Sequence, residues 1–224
     1  MLRKLVKRFN RIQRTIQQHC QKETFGSEYG GWTVCVDHLP PTPRVYAFGV
    51  GEDITFDLAM IERFSAQVYA FDPTPRSINW VKEQVLPPQF SLLEFGLEAY
   101  DGHATFYPPS NPAYVSHSVH AANTLAPIHV EMKRLSTIMQ QLGHTHIDVL
   151  KMDIEGSEYA VIDDLLSIPE VSIGQLLVEF HPQMFTDGIQ RTNRAIKSLN
   201  RHGYRVFHVA QGKWDYSFIR ESSS

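Results

Sequence analysis

Cysteine is scarce in this sequence, in which Cys20 and Cys35 are the only two among 224 residues. They form neither a Cys-x-x-Cys pair nor a set with the spacing of zinc ligands. Two cysteines do not make the disulfide framework that is typical of small secreted domains. We therefore expect reduced thiols and a location in the cytoplasm.

Long apolar runs are also absent, since no segment approaches the length of a membrane-spanning helix. The basic N-terminus is not followed by the unbroken apolar stretch of a secretory signal. Both absences agree with an intracellular protein.

A net positive charge, which is usual in nucleic-acid-binding domains, is missing as well. The formal net charge is −3, and seven of the 21 Lys and Arg residues lie within Met1–Lys22, where there is no acid. Residues 23–224 therefore hold 14 basic and 24 acidic side chains. Because a body of this charge repels a phosphate backbone, we expect no nucleic-acid partner.

The first twenty residues place apolar side chains at steps of three and four, which is the spacing of one helix face. These side chains belong to Leu2, Leu5, Phe9, Ile12 and Ile16. We predict a basic amphipathic helix over Leu2–Cys20 that packs on the domain or on a second subunit, or else contacts a membrane surface or an acidic partner. The proline-rich segment 38–43 ends this appendage, because consecutive prolines fit neither a helix nor a central strand. Residues 1–43 are thus assigned to an N-terminal appendage and residues 44–224 to the main domain.

From Arg44 onward, strand and helix patterns alternate along the chain. Strands are predicted at Val45–Phe48, Gln67–Phe71, Phe90–Leu97, Ile147–Met152 and Ile173–Phe180. Helices are predicted at Ile54–Phe64, Ser77–Leu86, Leu135–Leu142, Glu158–Leu166 and Ile189–Asn200. Such alternation indicates parallel strands joined by right-handed crossovers, and hence an open sheet with helices on both faces.

Two regions depart from this alternation. Strand-like pieces at Ala104–Tyr107 and His129–Lys133 flank a polar loop over residues 108–127. The last two predicted strands, Tyr204–Val209 and Tyr216–Arg220, are joined by a segment too short for a helical crossover, so they form an antiparallel hairpin. We predict an α/β fold with a doubly wound, mostly parallel, seven-stranded sheet that ends in this antiparallel hairpin.

Ligands of such sheets bind outside the carboxyl ends of the strands, near the point where the strand order reverses. The first of these strands leads into Gly49-Val-Gly51, a turn that lets the backbone approach a nucleotide-like ligand closely. An NAD site would need a third glycine at Ile54 and free helix amides, whereas Glu52 and Asp53 place negative charge there. That charge suits a cationic cofactor such as S-adenosylmethionine.

Further carboxylates end two other predicted strands. Asp72 follows the glycine turn by 21 residues and can accept both hydroxyls of a ribose. The segment Asp148–Glu158 delivers Asp153 to the same rim, with Glu155 on the same side, and a carboxylate there needs partners. Glu158 is interpreted instead as an acid that complements the dipole of the following helix.

The segment Asp148–Glu158, which reads DVLKMDIEGSE, resembles the signature of the FkbM family of S-adenosylmethionine-dependent methyltransferases. Val45–Asp57 and Ala70–Pro75 resemble the first two cofactor motifs of that family, and the resemblance runs from about Arg44 to His181. It implies a Rossmann-like methyltransferase fold. It also implies O-methylation of a small-molecule or glycan acceptor, at a hydroxyl of a sugar, glycolipid or polyketide-type metabolite.

The resemblance further implies roles for particular residues. Gly49 and Gly51 would line the methionine part of the cofactor, Asp72 the ribose, Leu97 and Glu98 the adenine, and Asp153 the reacting methyl group. Family members usually have an acid two residues before the first glycine, where this chain has Ala47. Glu52 or Asp53 could replace that acid and hold the amino end of the cofactor.

Methyl transfer to a hydroxyl needs a positioned acceptor and a general base. The candidates on the rim are His181, Asp153 and Glu179, with His181 first because an ordinary imidazole is neutral at physiological pH. We expect no metal, although the same three side chains would suit Mg²⁺ or Mn²⁺. Two other classes stay open: a nicotinamide-dependent oxidoreductase or epimerase, and a non-catalytic adaptor with the same fold.

Overall fold

The computed structural model describes residues 14–106, 127–212 and 214–221. Within these residues the strands are β1 (Lys22–Phe25), β2 (Trp32–Cys35), β3 (Arg44–Phe48), β4 (Gln67–Phe71), β5 (Phe90–Leu93), β6 (Gly96–Leu97), β7 (Gly102–Phe106), β8 (Ile128–Lys133), β9 (Ile147–Met152), β10 (Ile173–Glu179), β11 (Tyr204–Val209) and β12 (Asp215–Arg220). The helices are α1 (Thr55–Phe64), α2 (Pro75–Lys82), α3 (Leu135–Leu142), α4 (Glu158–Leu166) and α5 (Gly188–Arg201), with short 3-10 turns at Val36–His38 and Pro182–Met184. The elements predicted from Arg44 onward are present, with bounds that shift by a few residues.

The main sheet has seven strands in the order β11-β12-β10-β9-β3-β4-β5. The strands β10, β9, β3, β4 and β5 pair in parallel, whereas β12 is antiparallel to both β10 and β11. The chain leaves β3 toward β4 and β5 and later returns to the other side of β3 at β9. The strand order therefore reverses at β3, where a ligand crevice is expected. The predicted fold class, including the closing antiparallel hairpin, is confirmed.

Apolar side chains cover both faces of this sheet, because successive residues of a strand point to opposite faces. On one face, Tyr46, Leu150 and Leu176 pack with the buried residues of α3, α4 and α5. On the other face, Val45 and Val149 pack with the buried residues of α1 and α2. Burial on both sides explains why these strands read as nearly continuous apolar runs.

The hairpin of β1 and β2 completes the second face, and the sequence did not predict it. Every residue of β2 is buried. The side chain of Gln175 in β10 accepts from the N–H of Cys35 at 2.9 Å and donates to its carbonyl at 2.7 Å. The hydroxyl of Ser217 in β12 donates to the carbonyl of Thr33 at 2.9 Å. Because these bonds fix β2 on the sheet, the boundary predicted at residue 43 does not separate an appendage from the domain.

The predicted basic helix falls mainly on residues 1–13, which lie outside the described residues. Its final part is wrong, because residues 14–20 are not helical. The backbone N–H groups of Gln17 and Gln18 donate to the carbonyl of Val206 in β11, at 2.7 and 3.1 Å. Hydrogen bonds to a neighbouring strand thus outweigh the helical periodicity there.

The structure pairs Cys20 with Cys35, in contrast to the two separate reduced thiols expected from the sequence. The two residues meet because β1 and β2 pair with Lys22 opposite Cys35. Spacing along the chain could not show this, since the pairing depends on a hairpin that was not predicted. The cytoplasmic location stays a prediction, without the support of reduced thiols.

A small sheet in the order β6-β8-β7 lies beyond β5. The strand predicted over Phe90–Leu97 is divided between β5 in the main sheet and β6 in this small one. The predicted polar loop lies almost wholly at residues 107–126, outside the described residues. Within the described part of the chain, no helix has the length and apolar character needed to cross a membrane.

Candidate functional site

A cavity of about 740 Å³ opens at the carboxyl ends of β3, β4, β9 and β10, where the strand order reverses. The glycine turn after β3 lies at its centre. The walls on the side of β4 and the small sheet are mainly apolar, and they include Phe71, Pro73, Leu97, Phe106 and Met132. The walls on the side of β9, β10 and β12 are acidic, and they include Asp153, Glu155, Glu179 and Asp215. The cavity therefore has two chemically different ends.

The glycine turn brings two strands of the sheet into close contact. Gly49 has φ +78°, and a Cβ atom built there would lie 1.8 Å from the carbonyl oxygen of Asp153. Gly51 has φ +59° but open space around it. Only glycine fits at the first position, because both the backbone angle and the contact exclude a side chain. Both predicted glycines line the cavity.

Asp72 lines the same cavity, but its carboxylate is fully engaged within the protein. One oxygen accepts from the N–H groups of Val50 and Gly51, each at 3.1 Å. The other accepts from the N–H and hydroxyl of Thr74, at 2.9 and 2.6 Å. A carboxylate has about four acceptor positions, and here all four are used. The structure thus gives Asp72 the task of holding the glycine turn, and the predicted contact with a ribose would have to displace one of these donors.

Glu52 and Asp53 also line the cavity, and each has partners of its own. Glu52 pairs with Arg76 at 2.7 Å near the surface. Asp53 accepts from the hydroxyl of Ser27 at 2.5 Å and from the N–H of Thr55 at 2.8 Å, so it ties the β1–β2 loop to the start of α1. Their negative charge lies where it was predicted, beside the glycine turn.

The two residues predicted at the adenine are separated by the structure. Leu97 is buried in the apolar wall of the cavity. Glu98 is not among the lining residues, because its carboxylate turns away to accept from the hydroxyl of Ser157 and from the N–H of Ala99. Glu98 therefore joins β6 to the start of α4.

A buried lysine lies beside Ala47, the position at which family members usually have an acid. Lys151 in β9 lies opposite Ala47 in the sheet register, and its ammonium donates to the carbonyl of Gly49 at 2.7 Å. Burial raises the pKa of Asp57 in α1 to about 6, and the charge of Lys151 partly opposes that rise. Lys151 and Asp57 are thus two buried ionisable residues that interact electrostatically, and Asp57 is not among the residues that line the cavity. An ionisable residue within an apolar strand was the sequence signal for this pair, and our sequence reasoning did not use it.

The ends of β9 and β10 bring His181 against three carboxylates. Its Nδ1 lies 2.9 Å from Glu158, while its Nε2 lies 3.7 Å from Asp153 and 3.5 Å from Glu155. Glu158 is completely buried and accepts from the N–H groups of Ile154 and Gly156. The sequence interpretation of Glu158 as a helix-dipole residue missed this contact. The carboxylate that contacts the imidazole together with Asp153 is that of Glu155, and not that of Glu179, which the sequence analysis had grouped with these residues.

Burial and charge set the protonation of this end of the cavity. Burial alone would lower the pKa of His181, but the hydrogen bond to Glu158 and the charges of the surrounding carboxylates raise it to about 10. Burial, with the charges of Asp153 and Asp215, raises the pKa of Glu179 to about 7. His181 does not line the cavity, whereas Glu179 does. In contrast to the accessible imidazole assumed from the sequence, His181 thus lies behind the cavity wall, and without a bound cation the surrounding carboxylates favour its protonated form.

Aromatic residues that sequence reasoning missed flank the acidic end. Tyr29 and Trp32 come from the β1–β2 hairpin, and Trp214 comes from the loop before β12. Tyr29 is 80% exposed, and burial of the remainder together with the charges of Asp153 and Glu179 raises its pKa. The glycine-rich turn at residues 26–31 between strand-forming segments was the signal that could have revealed the hairpin.

A doubly wound sheet with this strand order and a cavity at the ends of its central strands defines a Rossmann-like α/β domain. Within that class, residues 46–206 match the family described as the methyltransferase FkbM domain. The match spans most of the chain, and the chain belongs to the FkbM methyltransferase family. The family predicted from the DVLKMDIEGSE segment is thus confirmed.

Two curated relatives are similar in sequence. The chain is 28% identical over 196 residues to "Probable methyltransferase-like protein 24" of Rattus norvegicus, covering 80% of this chain and 48% of that protein. The same identity relates it to the protein of that name in Homo sapiens, covering 79% and 47%. The chain thus spans about half the length of these relatives.

Solved structures with a similar chain path include two archaeal fibrillarins. The Methanococcus jannaschii protein has a TM-score of 0.47 at 9% identity, covering 83% of this chain and 70% of that chain. The Aeropyrum pernix protein, in complex with natively bound S-adenosyl-L-methionine, has a TM-score of 0.44 at 10% identity, covering 91% and 83%.

Proposed function

We propose that this chain is an S-adenosylmethionine-dependent O-methyltransferase that acts on a hydroxyl of a sugar, glycolipid or polyketide-type metabolite. The observation that supports this most directly is the cavity with one apolar and one acidic end on either side of the glycine turn. A cofactor that carries an aromatic base at one end and a positive charge at the other matches that division. Membership of the FkbM family supports the methyl-transfer class.

This division of the cavity supports one orientation of the cofactor. Its adenine occupies the apolar wall formed by Phe71, Leu97 and Met132, since adenine sites are mainly apolar. Its sulfonium and amino groups lie beside the glycine turn, near the negative charges of Asp53 and Asp153. Cationic groups near carboxylates are favoured by the Coulomb interaction, which is stronger in a partly buried cavity than in water.

The acceptor is placed at the acidic end, between Trp214 and the carboxylates of Glu179 and Asp215. Carboxylates accept hydrogen bonds from hydroxyl groups, and the flat face of Trp214 can pack on an apolar ring face. The same carboxylates would repel a phosphate or carboxylate on the acceptor. A neutral, hydroxyl-rich acceptor is therefore the class that fits.

In the proposed reaction the acceptor oxygen forms a bond to the methyl carbon, and the bond between that carbon and sulfur breaks. The electron pair of the broken bond remains on sulfur, which becomes a neutral thioether. The hydroxyl proton passes to a carboxylate on the cavity wall. Glu179 and Asp153 face the cavity and can take that proton, whereas His181 lies behind Asp153 and Glu155 and acts on them as a positioning residue.

Calorimetry with S-adenosylmethionine, S-adenosylhomocysteine and NAD tests the proposed cofactor. We expect both sulfur ligands to bind with one site per chain and NAD to show no heat. Tight binding of NAD alone would replace the proposal with a nicotinamide-dependent enzyme. Failure of all three ligands to bind a folded protein would favour the non-catalytic adaptor.

Once cofactor binding is established, a methyl-transfer screen over glycan and polyketide hydroxyls can use Glu179→Gln as its matched inactive control. Loss of a general base costs roughly 10²–10⁴-fold in rate, with little change in cofactor affinity. A Glu179→Gln protein as fast as the parent would assign the proton to Asp153 instead.

A further inference from the structure

The turn after β9 and the end of β10 gather three side chains of the types that bind metal ions. One ligand atom each from Asp153, Glu155 and His181 lies within 4.8 Å of the other two. The imidazole Nε2 is 3.7 Å from the nearer oxygen of Asp153 and 3.5 Å from that of Glu155. The arrangement comprises two carboxylates and one imidazole around a common point.

The imidazole of His181 is held with this nitrogen aimed at the two carboxylates. Its side chain is 93% buried, and its Nδ1 is bonded to Glu158 at 2.9 Å. Glu158 is itself fixed by the N–H groups of Ile154 and Gly156. Among the residues that the structure describes, the Nε2 makes no hydrogen bond. Metal-binding histidines are oriented in this way, with the second ring nitrogen donating to a buried carboxylate.

The distances permit one ion to contact all three side chains. Two atoms bound to one ion at about 2.2 Å can be at most about 4.4 Å apart. The two distances from the Nε2 of His181 already satisfy this limit. The two carboxylates lie within 4.8 Å of each other, so a shift of a few tenths of an ångström in either side chain is enough.

The charge around Asp153 and the exposure of the two carboxylates favour an ion at this point. In the described part of the chain, no Lys or Arg lies within salt-bridge distance of the Asp153 carboxylate; its ion-pair contact is with His181. The side chains of Asp153 and Glu155 are 33% and 21% exposed and both line the cavity. An ion held by them would keep open positions toward the acceptor end.

We infer that Asp153, Glu155 and His181 form a divalent-cation site of the Mg²⁺ and Mn²⁺ class, with Glu158 as the residue that orients the imidazole. Carboxylate oxygens with one imidazole are the donor set that such ions accept. Binding of the ion does not depend on the proposed function, but its role does: an ion there would bind the acceptor oxygen and favour loss of the hydroxyl proton. This inference replaces our sequence-based expectation that no metal is needed.

Titration of the metal-free full chain with Mn²⁺, followed by the electron paramagnetic resonance signal of free Mn²⁺, tests the site. We expect one Mn²⁺ per chain, displaced by excess Mg²⁺. Asp153→Asn and Glu155→Gln should each weaken binding at least tenfold. Glu158→Gln should weaken it by about 10- to 100-fold, which is the usual effect of losing the partner of a metal-binding histidine. Glu52→Gln, which removes a carboxylate from the same cavity, should leave the Mn²⁺ affinity unchanged.

Two results would overturn the inference: no Mn²⁺ binding at millimolar concentration, or the same affinity in Glu155→Gln as in the parent. Thermal unfolding of each variant shows whether it is folded, and Glu155→Gln keeps the comparison available if Asp153→Asn does not fold. Calorimetry with S-adenosylmethionine in excess EDTA separates the two proposals. Cofactor binding without Mn²⁺ binding would remove the metal site alone, and Mn²⁺ binding without cofactor binding would remove the proposed function alone.

Discussion

Asp72 illustrates how one side chain can fix a cavity-lining turn through the backbone. It accepts from the N–H groups of Val50 and Gly51 and from Thr74, and it is 4% exposed. Hydrogen bonds to a charged group contribute about 1.5–3 kcal/mol each, and an unsatisfied buried donor carries a further cost. The conformation of the glycine turn therefore depends on this carboxylate before any ligand arrives.

The variant Asp72→Asn should consequently lower the stability of the ligand-free protein as well as its cofactor affinity. The amide keeps the shape of the carboxylate but replaces one acceptor oxygen with a donor, which then faces N–H or O–H donors. We expect a loss of about 2 kcal/mol or more in the free energy of unfolding, measured by denaturant titration. Thr74→Val is the matched control, since it removes one donor to the same carboxylate and should cost about 1.5 kcal/mol. Weaker cofactor binding with unchanged stability in Asp72→Asn would show that the ribose contact is its main role.

Asp57 makes stability depend on pH. Its pKa in the folded protein is raised to about 6, above the ordinary value of 3.8, mainly because it is buried. A raised carboxyl pKa means that the folded state holds the proton more tightly than the unfolded state. The stabilisation is therefore complete below pH 3.8 and is lost as the pH rises through 6.

We expect the free energy of unfolding of Asp57→Asn, which stays neutral, to increase relative to that of the parent as the pH rises. The relative gain between pH 4 and pH 8 should approach about 3 kcal/mol, from a shift of roughly two pKa units at 1.36 kcal/mol each. Urea unfolding of both proteins at the two pH values measures it. An equal difference between parent and variant at both values would mean that folding does not shift the pKa of Asp57.

At the scale of elements, the β1–β2 hairpin takes the place of a helix on the second face of the sheet. It contributes Trp32 to the core and Tyr29 to the cavity wall, and Ser27 bonds to Asp53 beside the glycine turn. The hairpin thus belongs to both the fold and the candidate site. This differs from the expectation that everything before residue 44 is an appendage.

Truncation should distinguish the hairpin from what precedes it. A chain that begins at Pro40 loses β1 and β2. Because this exposes the apolar face of β10 and β12 that the hairpin covers, we expect aggregation or a large fall in melting temperature. A chain that begins at Arg14 keeps every contact described for the hairpin, and we expect its melting temperature and cofactor affinity to match those of the parent. Differential scanning fluorimetry with and without S-adenosylmethionine measures both. A soluble, cofactor-binding protein that begins at Pro40 would contradict the structural role of the hairpin.

Prediction of elements from the sequence succeeded where periodicity and burial agree. The strands β3, β4 and β9 are short apolar runs between helical patterns, and their bounds were predicted almost to the residue. The prediction failed at residues 14–20. The apolar side chains there have helical spacing, but the backbone forms hydrogen bonds with β11 instead of a helix. Local periodicity is a weak preference, and contacts with a distant strand can override it.

At the scale of the whole molecule, the sequence by itself determined the direction of the strands and the closing antiparallel hairpin. A helix between two strands allows a right-handed parallel crossover, and the short link before β12 does not, so the direction of the strands follows from element lengths, whereas their order in the sheet came from the structure. The family could likewise be identified from the sequence, because its signature segment DVLKMDIEGSE is contiguous. The edge of the sheet at which the site was expected, at the carboxyl ends of the strands, followed from the same prediction of parallel strands.

Only the tertiary structure decided which polar atoms are left for a ligand. Asp72, Glu98 and His181 stand at or just after the ends of strands, as expected from the sequence, but they have partners 22, 59 and 23 positions away in the chain. The bond between Cys35 and Gln175 spans 140 positions. A sequence pattern records which residue types stand at the end of a strand, whereas the groups that satisfy them come from other elements. Their roles therefore depend on packing, because a buried polar atom must find its partner wherever the fold brings one within reach.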